Sequence, residues 1–452
     1  MPNIFANIVF YSWPLVVFWL LKRRPLSQAI FLSITLAILF LPFEFILDLP
    51  LVPPLDKDIL TSLSLAVFLF LLRKKFRIFQ PSATTMIVIC YLLAVVISSE
   101  LNSEPVVNGA RLLPGLSHYD AFSNAVRTIL FLMPFFLGRY FLNNIKDMQA
   151  IFKALVILAL FYTLFMLVEL RLSPQIHNWV YGYAANNFMQ QVRGDGYRPV
   201  VFLGHGLKLA FWFSTCLIAA VALQKNKIRY SMFSGTIILC YMLFILVLCK
   251  TWSALAYGLI GILFITKFSP SKQIKLSLLF AALVLLYPLS KTAGVFPDKE
   301  IVSSIKNYSV ERAQSLEFRF ENEDILLNHA LEKPYFGWNG WGRNRLYSEW
   351  SDAKDITVTD GQWIIEFGIN GAMGFLFYYA ILLMPLYYAM KKVNYIEDEK
   401  DKIYFSTLAF ILAIGIIDSV PNTGMGSMHL LFAGALLGQA EAIKKRKVLI
   451  KQ

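Results

Sequence analysis

Arg198, Arg312 and Arg319 lie in polar loop segments and could hold a phosphate or diphosphate, because a guanidinium stays charged and binds phosphate oxygens in pairs. Arg198 closes the run Gly194-Asp-Gly-Tyr-Arg198, and Arg312 and Arg319 frame Arg-Ala-Gln-Ser-Leu-Glu-Phe-Arg. A hydroxyl nucleophile, whose own pKa lies far above neutrality, needs a positioned base. Asp360 leads the candidates, since it stands before Gly361 at a loop-to-helix junction and would also cap the next helix. His329 and Glu323 follow it. Structural readings compete with each assignment. Asp360-Gly361 is an ordinary turn-plus-cap pair, Arg312 and Arg319 could pair with Glu311, Glu317 or Glu323, and Arg198 beside Pro199 could be an interfacial anchor. His329, at the polar-to-apolar end of its helix, suits a structural role. Trp338, Trp341 and Trp363 could stack on sugar rings or lie in an interfacial belt.

The elements that must position these residues are apolar. The chain has 452 residues, 57% hydrophobic and 16% charged, with a mean hydropathy of +0.57. A soluble globular enzyme carries about 45–50% apolar and about 25% charged residues, so that class is excluded. An all-α polytopic membrane bundle is expected, with about 13 spans by the length a bilayer requires. Their centres are Ser12, Leu36, Val67, Cys90, Leu132, Leu160, Phe213, Cys240, Leu259, Leu283, Phe377, Leu412 and Ala433. The net charge of +13 does not imply a nucleic-acid partner, because the basic residues fall in short clusters between apolar runs. Lys22-Arg23-Arg24, Arg73-Lys74-Lys75, Lys225 to Arg229, Lys267 to Lys275, Lys391-Lys392 and Lys444 to Lys447 all reach one side if the N-terminus is outside. An N-terminus outside and a C-terminus in the cytoplasm are therefore expected.

Three units follow: an N-terminal bundle over 1–290 with an outer loop at 171–200, a large outer loop over 291–361, and C-terminal spans over 362–452. Helical composition in the large loop extends to Leu331, and Pro334 and Gly337 end it. Phe320, Leu327 and Leu331 lie near one stripe that could rest on the membrane surface or over the bundle mouth. Cys90, Cys216, Cys240 and Cys249 sit in or beside apolar runs and read as small core residues. Glu44, Asp48 and Asp418 could pair with Arg127 or Lys250 inside the bundle.

The run from Arg312 to Arg319, followed by Ala-Leu-Glu-Lys-Pro334-Tyr-Phe-Gly337-Trp-Asn-Gly340-Trp-Gly342, resembles the periplasmic-loop signature of the O-antigen ligase and polymerase superfamily. The stretch Glu366-Phe-Gly368-Ile-Asn-Gly371 is similar to the helix that follows in that family. Gly194 to His205 resembles the entry that carries a functional arginine there, and Leu248-Cys-Lys250-Thr-Trp-Ser253 is weakly similar to a further motif. Where the family has a histidine, this chain has Asp360.

The resemblance implies a GT-C-like inner-membrane glycosyltransferase with its site facing the periplasm. It implies inversion at the anomeric carbon, a polyprenyl-pyrophosphate-linked oligosaccharide as donor, a glycan acceptor, and no metal or other cofactor. Other polysaccharide export proteins are implied partners. Arg198, Arg312 and Arg319 would hold the pyrophosphate and stabilise charge on it as it departs. The missing histidine favours a repeat-unit polymerase of O-antigen or exopolysaccharide. A ligase attaching finished chains to a lipid A-core or other acceptor differs only in that acceptor. A transporter or flippase of a lipid-linked sugar, using the same arginines, is the rival of another class.

Overall fold

Apolar runs become helices where short polar residues close their first turns. Asn3 accepts the Ala6 N–H at 2.9 Å, Ser82 accepts that of Thr85 at 3.1 Å, and Ser117 with Asp120 forms a capping box. The computed structural model describes the chain except for residues 1, 49–52, 77, 79, 186–187, 194–195, 230–232, 351, 424–425 and 451–452, and the side chains of 444–450. Gly194 of the Arg198 motif and the side chains of Lys444 to Lys447 lie outside the described residues.

The N-terminal half contains α1 (Ile4–Arg23), α2 (Leu26–Phe40), α3 (Lys57–Leu71), α4 (Ala83–Glu100), α5 (His118–Phe141), α6 (Asp147–Leu172) and the short α7 (Ile176–Tyr181). Next come α8 (Gly206–Lys225), α9 (Gly235–Leu248), α10 (Trp252–Lys267), α11 (Pro270–Val284) and its continuation α12 (Leu286–Thr292). Then follow α13 (Asp298–Lys306), α14 (Val310–Leu331), α15 (Gln362–Lys392), α16 (Glu399–Asp418) and α17 (Ser427–Ile450). Two small antiparallel hairpins complete the described structure, β1 (Val106–Asn108) with β2 (Arg111–Leu113) and β3 (Val192–Arg193) with β4 (Gly196–Tyr197).

Each of the thirteen centres read from hydropathy falls on a helix. Among the described residues, 7 helices are long and apolar enough to cross a membrane: α1, α4, α5, α6, α8, α11 joined to α12, and α15 with the turn reaching Tyr395. Their number suggests a multi-pass membrane protein. The helices α2, α9 and α10 are apolar but shorter. The centre of the bundle is formed by α8, α16 and residues 427–440 of α17, which are buried on nearly every side. A Cβ on Gly434 would lie 1.9 Å from the Phe135 carbonyl oxygen, and one on Gly438 2.1 Å from that of Arg139. This Gly-x-x-x-Gly pair lets α17 lie backbone to backbone on α5, where side-chain packing alone would hold the helices further apart.

The polar segments interlock at one end of the bundle. Asn108 donates to the Arg345 carbonyl at 2.7 Å, and Arg343 donates to the carbonyls of Pro114 at 2.8 Å and Glu104 at 3.1 Å. The helix α14 ends at Leu331, as its composition predicts. Its buried face differs from the expected stripe: Ala313, Asn322, Glu323, Leu326, Leu327 and Ala330 face inward, whereas Leu331 is exposed. Polar Asn322 and Glu323 can face inward because each finds a hydrogen-bond partner there.

The segment after α14 docks into a break in α15. Gly371 has φ 63° and ψ −165°, which opens the helix. The Trp338 and Asn339 N–H groups then donate to the Gly368 and Ile369 carbonyls, both at 2.8 Å. In return, Ala372 and Met373 donate to the carbonyls of Pro334 at 2.8 Å and Tyr335 at 3.1 Å. The signature runs Pro334 to Gly342 and Glu366 to Gly371 are thus two halves of one joint.

Candidate functional site

The Arg198 segment is held from below by a buried carboxylate. Glu169, on α6 and 1% exposed, accepts the backbone N–H groups of Ile176 at 3.0 Å, Val200 at 2.6 Å and Val201 at 2.8 Å. These bonds fix the turn in which Val201 takes φ 51°. The Arg198 N–H donates to the Gln191 carbonyl at 2.8 Å, and its guanidinium reaches the Lys250 carbonyl at 3.2 and 3.3 Å. Lys250 in turn donates from Nζ to the Arg193 carbonyl at 2.9 Å. Burial, with Arg193 and Arg319 nearby, lowers the Arg198 pKa to about 10. Arg198 therefore remains charged at neutral pH, and the gathering of like charges favours an anion at this place.

The second half of the site comes from α14 and the residue before α15. The Arg319 Nε lies 3.3 Å from Asp360 Oδ2, with both side chains about one-third exposed. The sequence expectation that Asp360 caps α15 is corrected here. The cap is Gly361, without a side-chain bond, and the Gln362 N–H is taken by the carbonyls of Ser419 at 2.9 Å and Asn422 at 3.3 Å. A Cβ on Gly361 would lie 2.3 Å from the Val420 carbonyl oxygen, so the approach of the α16 end to the α15 start requires glycine. With Gly361 in the cap position, the Asp360 carboxylate lies outside the cap and is turned to Arg319.

His205 caps α8, its Nδ1 accepting the Leu207 N–H at 3.1 Å. Burial, and then Arg198, Lys208, Arg319 and Arg193, lower its pKa to about 4. The ring is neutral near pH 7 with its proton on Nε2, so it can donate a hydrogen bond beside the cationic group.

The remaining predicted residues separate from this group. Arg312 lies over the Trp252 ring at 5.2 Å, two helical turns from Arg319. Glu323 is 6% exposed and both its oxygens are engaged: it accepts from the Tyr287 hydroxyl and from Trp363 Nε1, the latter at 3.3 Å. Burial raises the Glu323 pKa. His329 is buried, its Nε2 is 2.9 Å from the Arg343 carbonyl, and its ring stacks on Trp338 at 4.6 Å. Glu323 is therefore tied to the packing of α14 because both its oxygens already serve neighbours, and His329 is held there by its Nε2 bond and the Trp338 stack, with Nδ1 3.4 Å from Glu332 Oε2. Trp338 and Trp363 are buried at 7% and 1% exposure, and only Trp341, 52% exposed, offers a face to a sugar. The expected pairings inside the bundle are also replaced: Lys250 turns to Arg193, and Asp418 accepts from Asn422 at 3.1 Å.

A cleft of about 250 Å³ has Gln362, two residues after Asp360, and Asp418 in its lining. Lys57, Lys208, Trp212 and His429 also contribute to its walls. Sequence reading missed Glu169 and Gln191, which hold the Arg198 turn. A glutamate within the apolar run of α6 was the available signal, since an ionisable group at such a position marks a functional or positioning role. Among the described residues no group of three His, Cys, Asp or Glu side chains is arranged to hold a metal ion. Comparison of the sequence with protein-family models and with curated proteins finds no match.

Proposed function

We propose that this chain is an inner-membrane glycosyltransferase of the O-antigen ligase and polymerase type, transferring a glycan from polyprenyl pyrophosphate to an acceptor sugar at the periplasmic face. A repeat-unit polymerase is the form of the reaction favoured by Asp360 standing where a histidine is usual. The observation that carries this reading is the 3.3 Å pair between Arg319 and Asp360, with Arg198 in the same cationic field. These three residues come from segments far apart in the chain, and each was singled out by its motif alone.

The chemistry follows from their types. Arg198 and Arg319, backed by Arg193, engage the donor pyrophosphate through charged hydrogen bonds. When Arg319 turns to phosphate, the Asp360 carboxylate is released from its partner. The acceptor hydroxyl attacks the anomeric carbon from the face opposite the pyrophosphate and passes its proton to Asp360. The C–O bond to the pyrophosphate breaks, and the lipid pyrophosphate leaves with the bonding pair, stabilised by the arginines. Inversion at the anomeric carbon results.

The test is deletion of the gene followed by analysis of surface glycan. Loss of long chains with a single repeat unit retained is the expected result. Loss of all attached chain would identify a ligase, and accumulation of donor on the cytoplasmic leaflet would overturn the transferase reading in favour of a flippase.

A further inference from the structure

The cleft lined by Gln362 and Asp418 differs in chemistry from the arginine group. Phe43, Phe211 and Trp212 give it an aromatic wall. Its charged side chains are two lysines, Lys57 and Lys208, and two aspartates, Asp58 and Asp418, so that it carries both signs equally. Lys57 Nζ is already tied to the carbonyls of Ile38 at 3.1 Å and Phe202 at 3.3 Å, and Asp58 accepts from Ser427 at 2.7 Å. Lys208, in contrast, makes no hydrogen bond or ion pair among the described residues and lies over the Phe43 ring at 5.6 Å. Two lining side chains that are almost wholly buried keep a polar atom without a partner among the described residues: Trp212 Nε1, at 3% exposure, and His429 Nε2, at 5%.

A balanced set of donors and acceptors around an aromatic wall suits a polyhydroxylated ring, whose C–H face lies on the aromatics while its hydroxyls take the polar groups. It does not suit a diphosphate, which needs an excess of cations. At about 250 Å³ the cleft is smaller than an ordinary drug-sized pocket of about 300–1,000 Å³ and has the scale of one ring rather than a chain. We infer that this cleft is a subsite for a single neutral pyranose, the terminal sugar of the acceptor, holding its reactive hydroxyl toward Asp360. The assignment to the acceptor rests on the transferase reading above. Gln362 and Asp418 supply the link, because both line the cleft, Gln362 follows Asp360 by two residues and Arg319 lies within electrostatic reach of Asp418.

The experiment is saturation-transfer NMR on the full chain in lipid nanodiscs, with methyl glycosides of glucose, galactose and mannose, glucuronate and inorganic pyrophosphate as probes. The expected result is saturable transfer to the ring C–H protons of at least one neutral glycoside, weakened about tenfold in Lys208→Met and in Gln362→Ala by loss of a hydrogen bond. Lack of saturable binding by every neutral glycoside, binding indifferent to both variants, or preferential lysine-dependent binding of glucuronate or pyrophosphate would overturn it. Sugar binding without donor-dependent transfer leaves the subsite standing and removes the transferase reading. Transfer without saturable sugar binding does the reverse.

Discussion

Gly337 and Gly371 meet backbone to backbone. A Cβ on Gly337 would lie 2.6 Å from the Gly371 nitrogen, and one on Gly371 would lie 2.4 Å from the Phe336 nitrogen. The four hydrogen bonds around them satisfy the groups that the break in α15 leaves open. The joint anchors the segment after α14 to the helix that begins two residues beyond Asp360, and so fixes the outer polar segments to the bundle.

Gly371→Ala is expected to lower stability by about 3 kcal/mol or more, combining a backbone conformation reserved for glycine with the clash of the new methyl group. Gly340→Ala, where a Cβ would meet nothing within 4 Å, should change stability by no more than about 0.5 kcal/mol. Thermal unfolding of the two variants in detergent compares them directly. Equal melting temperatures would show that the joint contributes little.

Asp360→Asn should reduce transfer by about 100-fold or more, the ordinary contribution of a general base. The protein should still insert and bind donor, and the loss of a half-exposed ion pair should cost less than about 1 kcal/mol. Arg319→Ala and Arg198→Ala should instead weaken donor engagement, seen as a raised KM for the lipid-linked substrate. Full activity of Asp360→Asn would remove it as the base.

Glu323→Ala should destabilise the fold by about 1–3 kcal/mol, because the part-buried Tyr287 hydroxyl and the buried Trp363 N–H lose their acceptor. Glu323→Gln keeps an acceptor and should retain most of the transfer activity. Loss of turnover in Glu323→Gln with an unchanged melting temperature would instead assign Glu323 to the reaction.

His205 predicts a pH dependence. Its ordinary pKa of 6.5 is lowered to about 4 in the folded protein, first by burial and then by Arg198 and its cationic neighbours. Between those values the unfolded chain binds more protons than the folded one, so stability rises with pH. The contribution is full above about 6.5 and is lost as pH falls toward about 4. In His205→Asn, which retains a capping oxygen, melting temperature should fall less steeply over that interval. An identical slope would place the titration elsewhere.

Trp341→Ala should leave folding intact and weaken acceptor use, whereas Trp338→Ala and Trp363→Ala should each cost about 3–5 kcal/mol as buried aromatics. A kinetic comparison at limiting acceptor, alongside unfolding curves, separates the two effects.

The sequence by itself determined the helical bundle, the end of α14 at Leu331 and the three segments that supply Arg198, Arg319 and Asp360. Apolar runs, helix stops and unusual residue types are local properties and can be read one segment at a time. Only the tertiary structure decided what each polar group serves. Asp360 is no cap because Gly361, packed against the Val420 carbonyl just beyond α16, takes the cap position of α15. Glu323 and His329 ranked behind Asp360 in the sequence, and only the structure shows Tyr287, Trp363 and Arg343 engaging them. The physical reason is that a buried hydrogen bond must be completed by some partner, and hydrophobic periodicity gives the face of a helix that turns inward without giving the donor or acceptor that meets it there.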